Sequence, residues 1–135
     1  MAIDETKIVD ELSEEYKIEE LVSFDEINIQ EKIQQNPYQL MKFQDMAIKE
    51  KMKYEELEEL LERLVGKLYH EYRFNHPEEL SNKEIEKYYI PTNIKYIKMK
   101  EILRKQKIRI LFFEQCIKGI DRQYWAMRDF CNKRI

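Results

Sequence analysis

The side chains best suited to chemistry in this sequence are cations and tyrosines between positions 67 and 98. The candidate DNA contacts are Lys67, Tyr69, Arg73, Lys83, Lys87, Tyr89, Lys95 and Lys98. Cations can follow a phosphate backbone, and aromatic rings can stack on bases whatever their identity. Two further rings of this stretch, Tyr72 and Tyr96, are expected to belong to a core instead. The combination predicts sequence-neutral binding of single-stranded nucleic acid.

The sequence lacks the residue patterns of an enzyme site. His70 and His76 are its only histidines, and neither has a cysteine or a pair of carboxylates at metal-ligand spacing. It contains no glycine-rich phosphate loop and no nucleophile beside a base. Its abundant acids are spread over helix faces that are expected to be solvated. We therefore expect no catalytic residue, no metal and no cofactor.

Two long heptad repeats must position the candidate contacts. The second repeat is Tyr96, Met99, Leu103, Gln106, Ile110, Phe113, Ile117, Ile120, Tyr124, Met127 and Cys131. The first is Leu40, Phe43, Ala47, Glu50, Tyr54, Leu57, Leu61, Leu64 and Leu68. Steps of three and four alternate through both repeats, and only Gln106 and Glu50 interrupt their apolar character. Each repeat predicts one long α-helix with a continuous seam.

Turn and capping signals set the expected helix boundaries. Two glycines and three prolines leave little material for the tight turns of a sheet, so the predicted class is all-α. The boundary signals are Ser23 with Glu26, Asn36 with Pro37, His76 with Pro77, Ser81 with Glu84, and Thr92. The first, second and fourth signals, and Thr92, each predict a helix start, whereas the proline after His76 predicts a helix end.

These signals predict a long antiparallel helical hairpin with coiled-coil-like heptads. The body, residues 36–135, consists of long helices at about 37–75 and 93–131. A short connecting helix at about 82–89 forms the tip of the hairpin. Helices joined by so short a connection most simply fold back on each other.

Charge is distributed unevenly between the two ends of the chain. Residues 1–35 hold eleven acidic and three basic side chains, for a net charge of −8, and residues 80–135 hold six and fourteen, for +8. We therefore expect an acidic N-terminal helical arm, 1–35, before a basic body. The basic end favours a polyanionic partner. The arm either competes with DNA or binds a protein, or else it packs on the body through Leu12, Tyr16 and Leu21.

The cations of the second long helix have another expected role. In an antiparallel hairpin, Lys100 and Lys107 approach the glutamates of the first long helix. Those glutamates are Glu55, Glu58, Glu59 and Glu62. Ion pairing is therefore the favoured role of Lys100, Arg104 and Lys107, and DNA binding is assigned to the tip.

A second apolar stripe on the same helix lies well round from the seam. It consists of Ile94, Ile97, Ile108 and Phe112. One partner helix cannot cover both stripes, so another surface, from this chain or from a copy of it, must. The stripe is the expected interface of a homo-oligomer.

Neither the cysteines nor the hydropathy indicates a membrane or an oxidising compartment. Cys116 and Cys131 lie too far apart on one predicted helix to cross-link within it, so they are expected to be reduced core thiols. No apolar run approaches the roughly 20 residues that a membrane span needs. The start MAIDETK lacks the basic-then-apolar order of a signal peptide. A cytoplasmic location is expected.

Residues 67–130 resemble the UvsY family, the recombination mediator proteins of tailed bacteriophages. KLYHEYRF (67–74) resembles the end of the family's first long helix, and ELSNKEIEKYYI (79–90) resembles its short connecting helix. FFEQCIKGIDRQYWAMRDF (112–130) resembles its long C-terminal helix, with the pattern W-x-[IM]-R-[ND]. That pattern is present as Trp125, Met127, Arg128 and Asp129. Lys67 falls on the position that best matches the family's DNA-contacting motif.

The resemblance implies a function as well as a fold. Members of the family bind single-stranded DNA, form ring-like oligomers and help load a RecA-like recombinase onto strands coated by single-strand-binding protein. A phage-encoded chain of this kind would act in the host cell cytoplasm. The rival prediction is a coiled-coil structural or adaptor protein whose basic face binds an acidic protein partner.

Overall fold

The computed structural model describes residues 5–133, and every regular element in that range is helical. The elements are α1 (Glu5–Glu15), α2 (Ile18–Val22), α3 (Ile29–Phe74), α4 (Asn82–Glu84) and α5 (Ile94–Lys133). One π-helical turn, Ile85–Tyr89, continues directly from α4. The predicted all-α class is confirmed, as are the short connecting helix and the bounds of the second long helix to within two residues.

The chain divides into two compact units. The first unit combines residues 1–51 with residues 108–135, and the second unit is residues 52–107. Both units contain part of α3 and part of α5. Within residues 5–133, no helix is long and apolar enough to cross a membrane.

Both heptad repeats form buried seams. Every position of the two predicted repeats is buried or half-buried, including the polar members Glu50 and Gln106. In the first unit, Lys51 of α3 pairs with Glu114 of α5, with 3.1 Å between Nζ and Oε1. Asn36, earlier in α3, contacts Ile120 and Gln123, later in α5. The two helices of this unit therefore run antiparallel, as in a helical hairpin.

Buried polar groups pair across the seam of the first unit. The Arg109 guanidinium donates to both carboxylate oxygens of Glu50, at 3.0 and 3.3 Å, although the Glu50 side chain is only 8% exposed. Hydrogen bonding to Glu50 raises the pKa of Arg109 above its ordinary value, against the opposing effect of burial. The Asn36 amide donates to the Ile120 carbonyl and to Gln123 Oε1, at 2.9 and 3.2 Å. Such pairs fix the register of two helices because a shift would leave each group unsatisfied.

The predicted start of the first long helix is wrong. Helix α3 begins at Ile29, and Pro37 lies inside it instead of in its first turn. The turn before α3 is closed by Asp25 and Asn28, because Asp25 Oδ1 accepts from the Asn28 amide and Asn28 Oδ1 accepts from the Asp25 amide. Ser23 ends α2 and does not begin a helix. Burial of Ile29 and Asn36 offsets the helical hydrogen bond that Pro37 cannot donate.

The acidic N-terminal segment packs structurally, which corrects the predicted boundary between an arm at 1–35 and a body at 36–135. Leu12 is buried in one cluster with Phe43, Phe112 and Phe113, and Leu21 packs against this cluster. The Tyr16 ring lies 5.2 Å from the Phe113 ring and 6.3 Å from the Phe112 ring, centroid to centroid. The segment and the long helices therefore share one core.

This packing also corrects the predicted oligomer interface. Phe112 is covered by the chain's own N-terminal segment, and Ile108 is buried as well. Neither residue needs a second copy of the chain to remove it from water. Ile94 and Ile97, in the second unit, remain 65% and 43% exposed. Only this part of the predicted stripe is left without cover.

The two cysteines are free thiols, as expected. Cys116 is buried in the aromatic cluster and Cys131 is half-buried. Burial raises the pKa of the Cys116 thiol to about 11, because an apolar surrounding disfavours the thiolate. Cys116 therefore remains protonated at neutral pH and packs as a small apolar side chain.

A separate core holds the second unit together. Leu68 of α3 is buried with Leu80, Ile85 and Ile90 of the connecting segment. Ser81 is confirmed as the predicted N-cap, because its Oγ accepts from the Glu84 amide at 3.3 Å. The Glu84 carboxylate accepts from the Ser81 hydroxyl and not from the Ser81 backbone amide of a full capping box.

The predicted cap of the second long helix is wrong by one residue. Asn93 Oδ1 accepts from the Lys95 amide at 2.9 Å, so Asn93 caps α5. The Thr92 hydroxyl instead donates to the Tyr88 carbonyl.

Removing one member of the Glu50–Arg109 pair should destabilise the fold. We expect Arg109→Ala to lower the free energy of unfolding by about 2–3 kcal/mol, since it leaves a buried carboxylate with fewer hydrogen bonds. The double variant Glu50→Leu, Arg109→Leu should recover much of this loss, because apolar side chains fit the seam. Urea denaturation followed by circular dichroism measures both effects. An Arg109→Ala protein as stable as the wild type would contradict a structural role for the pair.

Candidate nucleic-acid interface

The six predicted DNA-binding cations are all exposed in the second unit. They are Lys67, Arg73, Lys83, Lys87, Lys95 and Lys98. Within residues 5–133, none of the five lysines forms an ion pair. The Arg73 guanidinium donates to the Asn82 side-chain carbonyl, which links the end of α3 to α4. The lysine ammonium groups are therefore available to phosphates.

The two predicted stacking rings are in structural positions. Tyr69 and Tyr89 are half-buried and pack on the core of the second unit. The Tyr89 ring lies 5.3 Å from the rings of both Tyr72 and His76, centroid to centroid. These contacts occupy Tyr89, so it does not present a free face to a base. Tyr72 and Tyr96, predicted to be core residues, are indeed half-buried against the same core.

Two other rings are the exposed ones. Tyr88 is 66% exposed, and Phe74, at the end of α3, is 67% exposed and stacks only partly on His70, with 4.7 Å between centroids. The outward position of Tyr88 follows from Ile85, which is fully buried one helical turn before Tyr89. Residues 85–89 form a π-helical turn, which holds more residues per turn than an α-helix, so Tyr89, four residues after Ile85, shares its inward face and Tyr88, three residues after it, does not. In an α-helix both spacings would share that face, so the sequence alone did not select between the two rings.

Two of the three predicted shaft cations do not form the expected ion pairs. Neither Lys100 nor Lys107 pairs with a glutamate of α3 within the described residues. Both lysines are exposed, and the Lys100 ammonium lies over the Tyr96 ring, 6.0 Å from its centroid. The beginning of α5 thus carries a run of exposed cations, opposed within 94–107 only by Glu101. The run is Lys95, Lys98, Lys100, Arg104, Lys105 and Lys107.

Acidic residues lie among the cations of the connecting segment. Residues 67–98 contain six basic and five acidic side chains, so the segment as a whole is nearly neutral. One of these acids, Glu84, is occupied by the Ser81 hydroxyl. The positive charge is therefore concentrated at the start of α5. The segment that precedes α5 in the sequence supplies isolated cations and exposed rings.

The described residues contain no group of three or more potential metal ligands drawn from histidine, cysteine, aspartate and glutamate. Comparisons with protein-family models, with curated proteins and with solved structures found no match to this chain.

Substitutions at two adjacent tyrosines should distinguish a loss of base stacking from a loss of stability. If bases stack at this surface, Tyr88→Ala should weaken binding of a single-stranded oligonucleotide by about 1–3 kcal/mol and leave the melting temperature nearly unchanged. Tyr89→Ala should instead lower the melting temperature, since its ring packs on Tyr72 and His76. Fluorescence anisotropy and thermal denaturation measure the two quantities. A Tyr88→Ala protein with wild-type affinity would exclude stacking on this ring.

Proposed function

We propose that this protein binds single-stranded DNA through its second unit and acts as a recombination mediator. The observation that carries the proposal is the run of exposed cations at the start of α5, with the exposed rings of Tyr88 and Phe74 in the same unit. The five lysines of this run form no ion pair within residues 5–133, so their ammonium groups bind phosphates without first breaking one. Exposed rings add stacking that does not depend on sequence. The proposal includes no catalysed reaction.

The mediator role requires more than one strand-binding surface. We propose a homo-oligomer in which several copies hold segments of one strand, so that effective concentration raises affinity without a single tight site. Ile94 and Ile97 support an interface in the second unit. Both side chains are exposed, and their spacing of three residues places them on one face of α5. The proposed partners of this assembly are a RecA-like recombinase and single-strand-binding protein. Their identification rests on the resemblance of residues 67–130 to the UvsY family.

The rival function is that of an adaptor. The same run of cations on α5 would suit an acidic protein surface, because ammonium groups bind carboxylates as well as phosphates. Binding to single-stranded DNA at low salt, with no binding to a polyglutamate peptide, would favour the mediator. The opposite result would favour the adaptor.

The oligomer can be tested at the two exposed isoleucines. We expect the double variant Ile94→Glu, Ile97→Glu to reduce the molecular mass in solution to that of a monomer, because two buried charges would oppose association. Its helix content should stay near the wild-type value, since neither side chain is buried within the chain. Light scattering and circular dichroism measure these properties. A wild-type monomer at micromolar concentration would refute the proposal that several copies act together.

Salt dependence tests the proposed contacts to phosphate. If Lys67, Lys87 and Lys98 contact phosphates, replacing all three with alanine should reduce the slope of log affinity against log salt by about 2, since each single-strand contact contributes about 0.7. Anisotropy titrations of a labelled oligonucleotide at several salt concentrations give the slope.

A matched variant in the first unit controls for net charge. The control replaces three other exposed cations with alanine: Lys118, Arg122 and Lys133. It removes the same number of positive charges. This control should leave the slope nearly unchanged. If the slope of log affinity against log salt falls in the control variant and not in the Lys67, Lys87, Lys98 variant, the DNA surface lies in the first unit.

A further inference from the structure

A polar cavity of about 240 Å³ lies in the first unit, where the acidic N-terminal segment meets α3 and α5. Its lining includes Lys17 from the turn between α1 and α2, Lys32 and Lys42 from α3, and Gln123 from α5. Tyr16, Leu21 and Phe43 form the apolar part of the lining. None of these residues belongs to the proposed DNA surface, which lies in the second unit.

The cavity concentrates positive charge within the most acidic part of the chain. Three lysines line it, and Glu20 is the only acid that does so. Lys32 donates to the Glu20 main-chain carbonyl, which leaves two of its three ammonium donors for another acceptor. Lys17 and Lys42 form no ion pair within the described residues. Two of the three lysines come from residues 1–35, which hold only three basic side chains and carry a net charge of −8.

Two amide side chains give the cavity hydrogen-bonding groups that the fold does not use. Asn36 is only 4% exposed, and both of its hydrogen bonds are donated by Nδ2. No fully buried side-chain oxygen of the described residues lacks a partner, so Asn36 Oδ1, which accepts no hydrogen bond, keeps some exposure, and the residue lines the cavity. Gln39, one turn later, lines the same cavity and forms no hydrogen bond through its side chain. The site therefore offers an acceptor as well as cations.

Lys17 holds a backbone conformation that a lysine rarely adopts. Its φ is 52° and its ψ is 51°, in the left-handed region, and it is the only non-glycine residue with positive φ among those described. Glycine would adopt this conformation without the steric cost that a Cβ imposes. Residues in sparsely populated backbone conformations cluster at binding sites, and this one lines the cavity.

We infer that this cavity binds a sugar phosphate of the size of ribose 5-phosphate. The three ammonium groups would hold the phosphate, and Asn36 Oδ1 and the Gln39 amide would hold hydroxyl groups of the sugar. A fully deprotonated anion such as sulfate offers no donor to Asn36 Oδ1, and inorganic phosphate offers only the hydroxyl that it carries at neutral pH. A neutral sugar would leave the three cations without a counter-charge. Sugar and phosphate together satisfy both halves of the site.

Titration calorimetry and phosphorus NMR test this inference with ribose 5-phosphate as the probe. We expect ribose 5-phosphate to bind more tightly than inorganic phosphate and more tightly than ribose. A dinucleotide with a 5′-phosphate, compared with its dephosphorylated form, distinguishes the end of a strand from a free sugar phosphate as the source of the ligand. Equal affinity for ribose 5-phosphate and inorganic phosphate would overturn the inference, as would no binding at all.

Lysine variants locate the bound phosphate. Lys42→Ala should weaken binding of ribose 5-phosphate at least about tenfold, the loss expected for one charged hydrogen bond. Lys118→Ala removes an exposed lysine of the same unit that does not line the cavity, and it should change the affinity little. Equal losses in the two variants would show non-specific attraction and overturn the assignment to this cavity.

Two further variants distinguish binding from folding. Lys17→Gly should raise the melting temperature, because it relieves the left-handed conformation, and should nevertheless weaken binding of ribose 5-phosphate. Glu20→Gln should strengthen binding, because it removes the one acid of the lining. A Lys17→Gly protein that is more stable and binds with wild-type affinity would show that Lys17 has no part in the site.

Discussion

The packing of the first unit depends on one constraint: the polar side chains buried in the seam between α3 and α5 must form hydrogen bonds there. Glu50 can be 8% exposed only because Arg109 donates two hydrogen bonds to it. Asn36 meets the same requirement through Gln123. Apolar seams tolerate a shift of one heptad. A shift here would leave a carboxylate and an amide without hydrogen-bond partners in an apolar environment. The aromatic cluster and the lysine-lined cavity both depend on that fixed register.

The sequence predicted the long helices because their heptads are regular, and it failed where a polar seam position coincided with a proline. Asn36 followed by Pro37 has the composition of a helix start, yet Ile29, Ile33, Asn36 and Leu40 continue the alternation of four and three into the first repeat. The partner of Asn36 is Gln123, 87 positions away in the chain. Local propensity alone cannot reveal such a partner. The regular spacing of buried positions was therefore better evidence than the capping pattern.

The sequence correctly predicted that the cations of the candidate site are exposed, but it selected aromatic rings that are half-buried. Long lysine side chains on a polar helix face are nearly always solvated, so the exposure of Lys67 and Lys98 follows from residue type alone. A tyrosine can serve either the core or the surface, and the choice between Tyr88 and Tyr89 depends on how the turn packs beneath Ile85. The expected ion pairs of Lys100 and Lys107 failed for a related reason, since exposed pairs contribute little and do not dictate side-chain positions.

The acidic N-terminal segment combines two properties that the sequence could not separate. Its net charge of −8 indicates an electrostatic role, but Leu12 and Tyr16 cover Phe112 and Phe113 in the core. Deleting the segment would expose those rings to water, so a gain or loss of DNA binding after deletion would reflect unfolding as well as charge. Competition between this segment and DNA is therefore accessible only through substitutions that neutralise exposed acids, such as Glu11 and Glu14, and leave the buried side chains in place. Because the segment is part of the core, its effect on DNA binding must be tested by substitution and not by deletion.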